Sequence, residues 1–160
     1  MMRISYKNVE GWEYFQQQLK ISDVWGADSA LLRTAVSCWA KSGGDLESEH
    51  MKAVRPYFLV YRDTPSGWIC VEVGEKSFYS KWWGWAEARS SIGRSLGEFP
   101  GGEEFATIMD TPFREVQKNH SLRLDQVAAR VPSEPGGEPK AICFQRLLMG
   151  VRMPDGSFAL

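Results

Sequence analysis

The hydrophobic patterning predicts an α+β fold: an antiparallel sheet of five strands with helices on one face, preceded by N-terminal helices. Three stretches carry that expectation. Phe105, Ile108, Met109, Phe113 and Val116 fall on one stripe of a 3.6-period helix, so this segment has an apolar face that needs cover. Two strand-like runs follow it, 122–131 and 141–153, joined by the turn-forming segment Pro132-Ser133-Glu134-Pro135-Gly136-Gly137-Glu138-Pro139. Upstream, Pro56 to Arg62 and Trp68 to Gly74 flank the turn Asp63-Thr64-Pro65-Ser66-Gly67 and read as a hairpin.

The remaining elements follow in chain order. Asn8 is placed to cap a helix over 9–20, whose stripe is Trp12, Phe15 and Leu19; with a linker it makes a first unit of 1–27, ahead of a main domain at 28–160. That stripe must be buried either on the domain's own sheet or on a second copy of the chain. Asp28 or Ser29 can cap a second helix, 30–42, with Leu32, Ala35, Val36 and Trp39 inward and Gly43-Gly44 as its stop. The segment 45–55 is charged and reads as a loop or short helix ended by Pro56, with His50 in water. Pro112 is expected to kink or split the long helix, and His120 to turn the chain out of it.

In the strand after it, Leu122 and Leu124 have one parity while Val127, Ala129 and Val131 have the other. The next strand changes parity in the same way, from Ile142 and Phe144 to Leu147, Met149 and Val151. A bulge near Asp125-Gln126 would reconcile the first pair of patterns. On this reading Arg146, opposite in parity to Leu147, faces water. Pro154-Asp155-Gly156 is a turn signal, and 157–160 begins a last strand, short unless the natural chain continues.

Composition narrows the function classes. With 160 residues, 43% of them hydrophobic and 24% charged, the chain is one ordinary globular domain with a real core. A net charge of -1 leaves no electrostatic footprint for nucleic acid or an anionic membrane, so neither is expected as a partner. No run approaches the length of a membrane span and the first residues do not resemble a signal peptide, which makes a cytoplasmic location the expectation. Cys38, Cys70 and Cys143 are odd in number and set among apolar residues, as buried thiols are. No histidine or cysteine has metal-ligand spacing, and no phosphate loop, dinucleotide fingerprint or nucleophile elbow occurs; catalytic and metal residues are therefore assigned to none, and the chain is not expected to be an enzyme.

Certain residues carry a resemblance. Cys38-Trp39 ahead of a Gly-Gly, Arg55-Pro56-Tyr57 opening a strand, the hairpin end Glu72-Val73-Gly74, Gly93-Arg94-Ser95-Leu96-Gly97-Glu98 before the long helix, then Gln145-Arg146-Leu147-Leu148 and Pro154-Asp155-Gly156 are similar to a PAS-like family of small single-domain alphaproteobacterial proteins. The resemblance covers 31–160 and implies the PAS sensory fold. It also implies dimerisation through a helix preceding the sheet. Neither the flavin motif nor a haem-ligating histidine lies on the long helix, so no cofactor is expected.

A sensory or regulatory module, without its own output domain, is the function these readings imply. Its ligand would sit between helix and sheet, lined by Phe105, Met109, Phe113, Leu147 and Met149 with Trp83 at the rim. Trp82, Trp83 and Trp85 cannot all point the same way; Trp82 and Trp85, with Trp12, Phe15 and Leu19, are the candidate interface to a second copy or a separate signalling protein. The alternative is a protein-binding adaptor with a filled core and no ligand. An unrecognised enzyme is the third.

Overall fold

The computed structural model describes residues 4–9, 12–27, 29–98, 102–132 and 137–160, with side chains described from Tyr14 onward apart from 28, 99–105 and 131–136. Within them the chain is α+β with antiparallel sheets. It opens with two strands, β1 (Ile4–Val9) and β2 (Trp12–Leu19), not with the expected amphipathic helix. Phe15 and Leu19, four apart, share a face in a strand as they do in a helix, so their spacing alone did not discriminate. What decides is the partner: β2 pairs with a later strand along Glu13 to Leu19 and gains a full ladder of backbone hydrogen bonds.

A 3₁₀ turn over Ile21–Gly26 leads to α1 (Ala30–Ser42), which stops where Gly43 adopts a left-handed φ of 62° and its N–H reaches the carbonyls of Ala40 and Trp39. Two short 3₁₀ turns, Glu49–Met51 and Arg55–Tyr57, precede the hairpin β3 (Leu59–Thr64) and β4 (Gly67–Val73). The expected hairpin is present, shortened because Arg55 to Tyr57 turns before the strand starts. Gly74 closes it: a Cβ there would collide with the Pro56 carbonyl, so only glycine lets these backbones meet.

Two short helices follow, α2 (Phe78–Trp83) and α3 (Trp85–Ser90), and then α4 (Gly102–Asn119). Ser77 caps α2, its hydroxyl accepting from the Ser80 N–H at 3.3 Å. Helix α4 is not split at Pro112. The ring removes one N–H, but Met109, Phe113 and Val116 on either side are buried in one core cluster with Tyr61, Trp68 and Leu148, which holds the turns together. Trp68 adds a specific tie, its indole N–H donating to Asp110 at 3.1 Å and its ring meeting Phe113 edge-on at 5.4 Å. His120 ends the helix with a φ of 49°, the expected turn residue.

Strands β5 (Leu122–Pro132) and β6 (Pro139–Met149) pair without a break from Leu122–Met149 to Pro132–Pro139. There is no bulge at Asp125-Gln126. The parity change has another cause: both faces of the sheet are covered, and helices are not confined to one of them. Leu19, Leu124 and Leu147 lie in register across three strands and pack with Val24 and Val36, under α1 and the first 3₁₀ turn. Leu148, one residue along from Leu147, packs with α4 on the other face.

The four-stranded sheet has the order β1-β2-β5-β6. After Gly150 the chain continues as β7 (Val151–Arg152), pairs with β8 (Phe158–Ala159), and Leu160 exchanges backbone hydrogen bonds of 2.7 and 3.0 Å with Tyr61 of β3. Gly150 sits at this junction, where a Cβ would press on the Val116 carbonyl at 2.7 Å, and its own carbonyl accepts the Trp39 indole N–H at 2.8 Å. Among the described residues no helix is long and apolar enough to cross a membrane.

Candidate ligand cavity

The two-residue β8 bridges β3 to the end of β6 through one pair of backbone hydrogen bonds, while β6 itself is eleven residues long. Beside that bridge a cavity of about 470 Å³ opens between β3, β6, α1, α2 and α4. The size falls within the roughly 300–1,000 Å³ of small-molecule sites. Its walls are largely aromatic and aliphatic, including Phe58, Leu59, Tyr79, Trp83, Phe113 and Leu147. Several of these, Phe58, Leu59, Trp83 and Leu147 among them, are only half-buried, so apolar surface that a filled core would have covered faces the opening.

Of the residues expected at a pocket, Trp83, Phe113, Leu147 and Met149 line this one. Met109 does not; it is wholly buried, with its sulfur 3.1 Å from an Arg146 nitrogen. The Phe105 side chain lies outside the described residues. Trp83 sits 4.8 Å from the Tyr79 ring and packs against the core, which makes it the inward member of its cluster. Trp82 stacks on Phe78 at 5.8 Å, Phe78 in turn on Phe144 at 4.7 Å, and Trp85 is exposed.

The expected interface residues are not brought together on one helix. Leu19 packs inward with Val24 and Leu124, because β2 is an interior strand, and Phe15 is half-buried in register with Ala128 and exposed Cys143. Cys143 therefore departs from the buried-thiol expectation, while Cys70 is buried and burial raises its pKa. The Trp12 side chain lies outside the described residues.

Arg146 is the largest departure from expectation, since it faces the interior and not water. Asp125 lies directly opposite it on β5, and their ion pair is 3.1 Å long. The guanidinium also donates to Gln16 at 2.6 Å and to the Tyr14 hydroxyl at 3.0 Å, while Arg123 holds the other Asp125 oxygen at 2.9 Å. Burial by itself would lower the Arg146 pKa; Tyr14 and the Asp125 carboxylate outweigh it and keep the guanidinium charged. Burial likewise raises Tyr14 despite the neighbouring cation. Parity reasoning missed this group because it treats a charge as a surface marker. The signal available was pairwise: two arginines and an aspartate at matching places in consecutive strands.

At the opening stand Lys76 and Lys81, both exposed, each with its ammonium 5.9 Å from the centre of the Tyr57 ring. Neither has a carboxylate partner among the described residues. His50 is exposed, and His120 lies between Phe158, at 5.1 Å, and Trp39, at 6.3 Å. Among the described residues no group of three or more His, Cys, Asp or Glu side chains is placed to hold a metal ion. In comparison with known proteins, the chain matches no family model, no curated protein and no solved structure.

Proposed function

We propose that the chain is a small PAS-like sensory or regulatory module that binds an apolar ligand in the cavity beside β3 and β6. The cavity carries the reading: a domain with this much buried surface has no stability reason to leave about 470 Å³ unfilled and lined with half-buried aromatic and aliphatic groups. The strand neighbours favour the PAS-like part. Followed through backbone hydrogen bonds they run β4, β3, β8, β7, with β7 continuing β6, then β5, and α2, α3 and α4 lie between β4 and β5 in sequence, as the resemblance implies. The homodimer implied by the resemblance is part of this reading, with the two N-terminal strands in place of the helix expected to form it.

Native mass spectrometry beside the denatured protein tests both points. A mass excess that vanishes on denaturation, on a dimer, is the expected result. A bare chain whose melting temperature responds to no small molecule sinks the ligand reading, since a ligand bound only by the folded state must raise stability. In that case the adaptor alternative gains, through the partly exposed Phe78–Trp82 stack and the exposed Trp85.

A further inference from the structure

Among the described residues the wall of the cavity carries three cations, Lys76, Lys81 and Arg146, and no carboxylate. They are not equivalent. The terminal nitrogens of Arg146 already donate to Asp125, Gln16, Tyr14 and Met109, and only its buried Nε–H has no partner among the described residues, so it offers a ligand at most one free bond. Lys76 and Lys81 stand at the opening with no acidic partner among the described residues, two like charges held beside one tyrosine ring. Their mutual repulsion falls when an anion lies between them, and an anion at the opening keeps its outer side in water, so it avoids the desolvation cost of a buried charge.

We propose that the ligand is an amphipathic anion, with an apolar chain inside the cavity and an acidic head held at the opening by Lys76 and Lys81. This rests on the cavity being a ligand site. An apolar body alone would account for the walls, and a polar anion alone would account for the lysines. Only a molecule with both parts uses the cavity and its opening together.

Decanoate and decan-1-ol separate the two claims, because they share a chain and differ in the head. Titration calorimetry at low salt should show decanoate binding roughly tenfold more tightly than the alcohol, an advantage worth about 1.4 kcal/mol. That advantage should shrink with added salt. In Lys76→Gln/Lys81→Gln it should disappear while decan-1-ol binds as before; both lysines are exposed, so the variant folds. Equal affinities in the unaltered protein, or an advantage that survives the double substitution, overturn the anionic head and leave the cavity reading standing. Binding of neither compound overturns both.

Discussion

Leu124 and Asp125 are neighbours in one strand, both wholly buried at 0% exposure, and they face opposite sides of the same sheet. Leu124 belongs to an apolar row with Leu19 and Leu147, closed by Val24 and Val36. Asp125 belongs to a charged group with Arg123 and Arg146, closed by Gln16 and Tyr14 beneath α4. The first row is held by non-directional burial and tolerates apolar side chains of similar volume. The second exists only as a set, because each buried charge depends on its partners. Burial therefore does not tell the two faces apart; the penalty for removing one member does.

The comparison is tested most severely at Asp125. Asp125→Ala leaves two buried guanidinium groups without their carboxylate and should cost about 3–5 kcal/mol in urea unfolding. Replacing the set together, Arg123→Leu with Asp125→Leu and Arg146→Met, should recover most of that loss. A single substitution as harmless as the triple would show that the group is not interdependent.

Leu124→Ala, on the other face, should cost about 3 kcal/mol through lost burial and a residual cavity. Combined with the triple replacement of the charged set, its departure from the sum of the two separate effects should measure how far the shared backbone of β5 couples the two faces.

The smallest effect concerns pH. Tyr79, in the core cluster on the α4 side, is pushed by burial from the usual 10.0 up to about 12. Below pH 10 the phenol is neutral in both folded and unfolded chains. Between 10 and 12 the unfolded chain releases the proton and the folded one retains it, so stability falls as pH rises. Melting temperatures across this window should therefore decline less steeply in Tyr79→Phe than in the unaltered protein. Identical slopes would place Tyr79 in water.

Local patterns were readable where one partner settles an element. The α1 helix with its Gly43 stop, the β3–β4 hairpin, the stripe Met109, Phe113 and Val116, and the left-handed turn at His120 all depend on near neighbours in sequence, and the structure contains each of them. The candidate site was readable in part: Trp83, Phe113, Leu147 and Met149 were expected, whereas Tyr57, Phe58, Leu59, Lys76 and Lys81 were not. Those five come from the approach to β3 and its first residue, and from the approach to α2 and α2 itself, two stretches that only tertiary packing brings together. Nothing local says that they will meet.

By itself, then, the chain's order of apolar and turn-forming residues determined an α+β arrangement, the hairpin and most of the helices, because propensity, capping and amphipathic spacing act over a few residues. Tertiary structure decided three things. It made 12–19 a strand, since β5 offered an unpaired edge to a segment whose spacing suits either state. It turned Arg146 inward, since Asp125 arrived opposite it to hold the charge. It left the cavity, since β8 is too short to close the space between β3 and β6. Each is a contact between distant residues, and its free energy exists only once both partners have been brought together.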